Sequence, residues 1–308
     1  MKPIILVAGS SNTDMVVKTS VLPRPGQTVL GGQFFMNAGG KGANQAVAAA
    51  RLGGAVVFVA KTGADIFGSQ AIEQFKKEDI DCRYIFCDPA VASGVALITV
   101  DAAGENCIVV APGANDRLGA ADVLLAREAV LQADIVLVQL EIPLETVDAL
   151  VELAVAAGKR VILNPAPARV LPDRLLKRIS LITPNEKEAE LLTGIPVVDA
   201  DTALLAAKAL SVKGIGTVII TLGKKGALVW DGRTSAVLPA PKVEAVDTTA
   251  AGDVFNGALA VALAEGRELT DAVGFANHAA ALSVTKLGAQ ASAPGREETE
   301  LFMEQGRK

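Results

Sequence analysis

Two short segments carry residues whose types and spacing suit chemistry on a phosphate. Ala245-Val246-Asp247-Thr248-Thr249-Ala250-Ala251-Gly252-Asp253-Val254-Phe255-Asn256-Gly257 leads into an apolar-periodic stretch, so it opens a helix. First-turn N–H groups lack intrahelical partners, and the macrodipole adds positive potential there. Ala250, Ala251 and Gly252 are small enough to let a phosphate approach those groups. Asp253 follows at once. Alone, it could be an ordinary helix-start acid. Beside an anion-ready turn it is the base that phosphoryl transfer to a hydroxyl requires. The second segment is Ala38-Gly39-Gly40-Lys41-Gly42-Ala43-Asn44-Gln45-Ala46. Its glycines open another helix, and Lys41 and Asn44, three apart, share a face. They could bond the hydroxyls of a sugar; a solvated Lys in a Gly-rich turn is the plainer alternative. It is no P-loop, because Gly42 follows Lys41 where Ser or Thr would be needed.

Further polar groups stand at the ends of expected strands, where ligands collect in an open α/β sheet. Gly9-Ser10-Ser11-Asn12-Thr13-Asp14 follows the first strand, without a dinucleotide Gly-x-Gly-x-x-Gly. Glu141, Asn164-Pro165-Ala166-Pro167, Thr183-Pro184-Asn185-Glu186 and Thr221-Leu222-Gly223-Lys224-Lys225-Gly226 end later strands. Each alone reads equally as a cap, a turn or a ligand contact. Together they suggest one shared cleft.

The elements that must position these groups alternate. Short apolar strands are expected at Ile4–Ala8, Ala55–Ala60, Ile135–Leu140, Val161–Asn164, Leu181–Pro184 and Thr217–Thr221. Amphipathic helices are expected at Gly42–Leu52, Gly68–Glu78, Leu144–Ala157, Thr202–Lys213, Ala251–Ala264 and Asp271–Thr285. That rhythm predicts an α/β fold, a mostly parallel sheet covered on both faces. Two regions break it. Met15–Met36 is punctuated by Pro and Gly, and Arg83–Val110 offers strands at Arg83–Phe86, Val95–Val100 and Asn106–Val110. Asp101-Ala102-Ala103-Gly104 suits a hairpin turn between the last two. These pieces predict a small β-sheet projecting from a single domain, placed as a lid.

Composition removes several function classes. The 308 residues are 51 % hydrophobic, yet no run reaches the ~20 apolar residues of a membrane span. The N-terminus lacks a signal-peptide core, which makes the cytoplasm the expected location. Net charge is −5 and aromatics are only 4 %, which disfavours nucleic acid as a partner. Cys82, Cys87 and Cys107 form no Cys-x-x-Cys and are expected as buried free thiols. One histidine, His278, excludes a His-rich metal site and is expected to pack against a neighbour or lie on the surface of an Ala-rich helix.

The paired signatures Gly39–Asn44 and Asp247–Asp253, in this order, resemble the ribokinase family of carbohydrate and nucleoside kinases, of the PfkB type. The blocks Leu163–Ala168 and Ile182–Glu186 strengthen the likeness, which runs from about Ile4 to Pro294. The resemblance implies a three-layer α/β/α domain with a β lid, shared in a homodimer. It implies transfer of a phosphoryl group from ATP, with Mg²⁺, to the primary hydroxyl of D-ribose. Sugar contacts then fall to Asn12, Thr13, Asp14, Gly40, Lys41, Gly42, Ala43, Asn44, Glu141 and Asp253. Asp253 is the base, and Ala250, Ala251 and Gly252 form the anion hole. ATP is surrounded by Asn185, Thr221, Leu222, Gly223, Lys224, Lys225, Gly226, Gly252, Asp253 and Asn277. A monovalent cation, K⁺, is held by Asp247, Thr249, Ser283, Gly288 and Ser292, with the Lys286 carbonyl. Ala251 stands where many relatives carry Gly. Rival expectations are a kinase of the same family for 2-deoxyribose, fructose, adenosine or a keto-deoxy acid, or a sugar-binding regulator without catalysis. Scarce aromatic rings argue against an adenosine site, and an intact Asp253 against a regulator.

Overall fold

The computed structural model describes residues 2–306. Among these residues, nine strands form one sheet. Its order is Ser235–Leu238, Ala227–Trp230, Thr217–Thr221, Leu181–Ile182, Arg160–Leu163, Ile135–Val138, Ile4–Ala8, Ala55–Gly63 and Asp81–Asp88. From Thr217–Thr221 to Asp81–Asp88 all pairings are parallel; the first two strands make an antiparallel edge.

Helices cover both faces, which is why the central strands are apolar without a polar face. Successive side chains point to opposite faces of a strand. Accordingly Ile5 and Val7 join one buried core, while Leu6 and Ala8 join the other. The first core is closed by helices Lys41–Arg51, Ala251–Ala264 and Leu269–Ser283. The second is closed chiefly by Leu144–Ala156 and Ala200–Val212. One glycine governs the first layer: a Cβ on Gly257 would lie 2.8 Å from both the Ala48 Cβ and the Gln45 carbonyl oxygen. Helices Lys41–Arg51 and Ala251–Ala264 therefore cross almost backbone to backbone.

A separate four-stranded sheet has the order Gln33–Gly39, Asn12–Lys18, Gly94–Val100 and Asn106–Ala111. The expected hairpin turn is present, with the Gly104 N–H donating to the Asp101 carbonyl at 3.1 Å. Pairing register sets Met15, Val17, Phe34, Met36, Leu97 and Val109 on one face. That face is open: Phe34 is 61 % exposed, Leu97 55 % and Val109 62 %. Asn12, Asp14 and Val16 point the other way.

Several expectations need correction. Arg83–Phe86 does not belong to the small sheet; it lies in Asp81–Asp88, parallel to Ala55–Gly63 at the edge of the large one. Half-exposed edge position gives it a mixed pattern that reads as peripheral. The hairpin Ala227–Trp230 and Ser235–Leu238 and the helices Glu186–Thr193 and Arg296–Gln305 have weak patterns in the sequence, being short or largely charged. The cysteines are free but not buried: Cys87 and Cys107 are exposed on the outermost strands of the two sheets, and Cys82 is half-buried. Among the described residues, no helix is long and apolar enough to cross a membrane.

Candidate active site

The Gly257 crossing brings the two signature segments together. Asp253 lies one turn before Gly257, and Asn44 and Gln45 lie one turn before Ala48 and Ala49. Close approach of one pair of turns sets the next pair side by side. The Asn44 Nδ2 donates to Asp253 Oδ2 at 2.9 Å, and the Gln45 Nε2 donates to Asp253 Oδ1 at 2.9 Å. Asn44 Oδ1 is buried without a partner among the described residues. Burial pushes the Asp253 carboxyl up, with Glu141 adding to it, against the pull of Lys41 and the two amides.

Four acids surround one cation above this floor. Burial, with the Glu141 carboxylate, pushes Asp14 up to about 6, while Lys41 pulls it down. Burial works against the Lys41 cation, yet Asp253, Glu141, Glu188 and Asp14 together hold its proton more tightly than usual. Glu141 is fixed by the Ser10 hydroxyl at 2.5 Å and the Lys41 N–H at 3.0 Å, both on Oε2. The Asn115 Nδ2 donates to Asn12 Oδ1 at 2.7 Å. Gly39 leaves room for the Asp14 carboxylate: a Cβ there would collide with it. The cluster is thus charged, largely buried and pre-assembled, suited to gripping a compact polyhydroxy molecule.

The start of helix Ala251–Ala264 is unusual. Ala250 is left-handed, with φ 61°, and right-handed helical backbone follows it. A left-handed alanine costs about 1–2 kcal/mol. The left-then-right sequence aims consecutive N–H groups into one concavity that suits an anion. Gly252 is exposed there, and a side chain added to it would meet open space. The preceding loop is tied to the one after helix Leu269–Ser283. Asp247 accepts from the Gly288 and Thr249 N–H groups, each at 2.9 Å, and the Asp247 N–H donates to the Val284 carbonyl. Burial would raise the Asp247 carboxyl, but those bonds hold it below the usual carboxylate range. Ser283 and Ser292, on either side of the Gly288 turn, are buried, each donating to a carbonyl three residues back.

The remaining polar strand ends meet along the sheet. Asn185 and Thr221 form a parallel bridge. The Leu222 N–H donates to the Gly226 carbonyl at 2.8 Å, closing the turn that carries Gly223, Lys224 and Lys225. The Asn277 Nδ2 donates to the Leu238 carbonyl at 3.0 Å, and Leu238 pairs with Ala227 beside that turn.

A family model for pfkB carbohydrate kinases matches residues 3–296. The chain belongs to the pfkB carbohydrate kinase family. Within it, the chain is 45 % identical over 304 residues to a ribokinase of Haemophilus influenzae, covering 99 % of both. It is 40 % identical over 296 residues to a deoxyribokinase of Salmonella typhi, covering 96 % of both. Its fold matches an Arabidopsis thaliana ribokinase solved with ribose and ATP, with a TM-score of 0.91 and 31 % identity, over 98 % of this chain and 99 % of that one. The architecture is therefore that of a ribokinase-like α/β kinase.

In this pfkB kinase Asp14, Lys41, Asn44, Glu141 and Asp253 converge, with Gly40 and Gly42 shaping the turn and Asn12 at its edge. The Thr13 side chain does not; strand alternation sends it to the face opposite Asp14. Ala43 is buried and contributes its N–H to the Ser10 carbonyl. The Lys286 side chain turns away to Glu298 at 2.7 Å, leaving only its backbone near the Asp247 loop. Lys224 and Lys225 are exposed. His278 bonds the Gly274 carbonyl and packs edge-on against Phe302. Ser10, Gln45, Asn115, Gln139 and Glu188 also support the site, beyond the residues the two motifs mark. Glu188 had a signal, the Asn185-x-x-Glu188 capping box at a helix start. The buried amides gave none, since a glutamine in sequence does not say which way it faces.

Proposed function

We propose that this chain phosphorylates D-ribose at its primary hydroxyl with ATP. The observation carrying the reading is Asp253: a buried carboxylate at the rim of an anion-ready helix start, facing a ring of sugar-sized polar groups. Asn12, Asp14, Lys41, Asn44 and Glu141 hold the sugar, with the Gly40–Ala43 backbone. Asn44 bridges base and sugar, because its unpartnered Oδ1 accepts from a hydroxyl while its Nδ2 holds Asp253. The hydroxyl oxygen attacks the γ-phosphorus in line, Asp253 takes the proton, and the bond to ADP breaks. Ala250, Ala251 and Gly252 hold the transferring group by N–H donors, where charge stabilisation is worth most. Asn185, Thr221–Gly226 and Asn277 surround the nucleotide.

Among the described residues no three acidic, histidine or cysteine side chains are placed to hold a metal ion, so Mg²⁺ fits as an ion borne by the ATP phosphates, where it neutralises their charge. A monovalent cation fits the linked loops: Asp247 stays ionised, and Thr249, Ser283, Ser292 and the turn through Lys286 and Gly288 offer hard oxygens. K⁺ would order the loop that feeds the helix start, raising the competent fraction. The small sheet serves as a lid. Its open apolar face supports a homodimer through the lids, since six large apolar residues on one face need a cover. Three free thiols agree with a reducing, cytoplasmic setting.

The 40 % identical deoxyribokinase favours 2-deoxyribose as the second substrate to consider. Initial rates with ATP on D-ribose, 2-deoxyribose, D-fructose and adenosine, with and without K⁺, decide the matter. Ribose is expected to give the highest kcat/KM, raised by K⁺ more than by Na⁺. Equal or faster turnover of 2-deoxyribose overturns the ribose assignment.

A further inference from the structure

Gln45 is fully buried one residue after Asn44 and touches Asp253 from within the interior. Its orientation is not free. The Thr183 main-chain carbonyl can only accept, so the Asn164 Nδ2 must face it, at 3.2 Å. Asn164 Oδ1 then faces Gln45, which must present its Nε2, at 3.0 Å. The same Nε2 reaches Asp253 Oδ1, and Gln45 Oε1 is left to accept from the Gln139 Nε2 at 2.5 Å. Gln139 is also fully buried, and a Cβ on Gly9 would collide with its Oε1, so the residue is wedged from behind. A backbone carbonyl thus sets the polarity of a chain of amides that ends in a donor aimed at the carboxylate.

We infer that Gln45, with its polarity fixed by Asn164 and Gln139, is the positioning residue of Asp253, engaging Oδ1 from the interior and leaving Oδ2, beside Asn44, to meet the sugar hydroxyl. This rests on the reading of Asp253 as the base. Its physical content is directional. A carboxylate offers only acceptors, which the fixed N–H matches; the neutral acid, with its proton on Oδ2, keeps only a weaker carbonyl acceptor at Oδ1, so the N–H bonds the ionised form more strongly. The donor therefore opposes the burial that favours the protonated acid. It also favours release of the proton after each turnover. Gln45 touches neither phosphate nor sugar in this scheme, so removing it should leave substrate binding alone.

The test is the pH profile of kcat and sugar KM for Gln45→Met, which keeps length and volume but has no donor. The base must be ionised, so activity is lost as pH falls through its pKa. Loss of the donor moves that acid limb to higher pH, by about 1 unit. At pH 6 kcat should fall by up to about 10-fold, recovering to within about threefold at pH 9, with sugar KM within about threefold. A pH-independent fall in kcat, or a rise in KM at unchanged kcat, overturns the inference. Should Gln45→Met fail to fold, Gln139→Met is the deciding variant. It removes the N–H that holds Gln45 Oε1, so the grip of the donor on Asp253 slackens and the limb should move up by a smaller amount; an unmoved limb overturns the inference. Asp253→Asn, run alongside, separates the two claims. If it stays active, the base reading fails. If it is inactive while the glutamine variants keep the parent limb, only the positioning role fails.

Discussion

The two ends of the cleft are built from different material. Around Asp253 the contacts run through side chains locked in the interior: Gln45 and Gln139 are fully buried, and Asn44 and Asn164 nearly so. Around Thr221–Gly226 they run through the backbone, by the Asn185–Thr221 bridge and the Leu222–Gly226 turn, while Lys224 and Lys225 stand in solvent. A sugar differs from its relatives by single hydroxyls, so its site needs fixed groups that suffer when one hydroxyl is missing. A nucleotide offers a repeated phosphate chain and a flat base, which main-chain donors and shape can hold. Substitutions should therefore be costly at the first end and mild at the second.

The largest effect is expected from Asp253→Asn, which should lower kcat by ~10²–10⁴ while sugar affinity, read by calorimetry, is largely kept. Lys41→Ala comes next. It removes the one cation facing Asp14, Glu141, Glu188 and Asp253, and should raise sugar KM by roughly 10- to 100-fold with ATP KM little changed. Unaltered sugar affinity would take Lys41 out of the sugar site.

Asp14 gives a smaller effect of defined sign. Its pKa is raised to about 6 from 3.8, so the folded protein favours the protonated acid. Stability from this group is complete below about 3.8 and is lost as pH rises through about 6. Asp14→Asn should therefore stabilise the ligand-free protein at pH 8 by about 1–2 kcal/mol in urea unfolding, with no gain below pH 4. The same change should weaken sugar binding, a functional carboxylate kept at a cost to stability. The smallest effect belongs to the other end: Lys224→Ala, at an exposed position, should change ATP KM by less than about threefold. A large loss there would erase the contrast between the two ends.

Much of this was legible in the residues. Strand ends and helix starts come from local patterns, so the six expected strands and six helices lie where Ile4–Ala8 through Leu269–Ser283 are found. Asp253 and Lys41 stood out because a charge in a Gly- or Ala-rich helix start has few structural reasons to be there. The amide chain did not, because Gln139 and Asn164 lie 94 and 119 residues from Gln45 along the chain and meet it only where helix Lys41–Arg51 packs on the ends of strands Ile135–Val138 and Arg160–Leu163. Arg83–Phe86 misled for the opposite reason: an edge strand of the large sheet is half-exposed and carries the mixed pattern of a peripheral one. Thr13 shows the limit of reading a motif as a block, since strand alternation divides its neighbours between two faces.

A crystal structure with D-ribose and a non-hydrolysable ATP analogue tests the central claim most directly. The account predicts the primary hydroxyl oxygen within about 2.6–3.2 Å of an Asp253 carboxylate oxygen, and the terminal phosphate on the N–H groups of Ala250–Gly252. A sugar bound elsewhere, or seated with its primary hydroxyl turned away from Asp253, would contradict it.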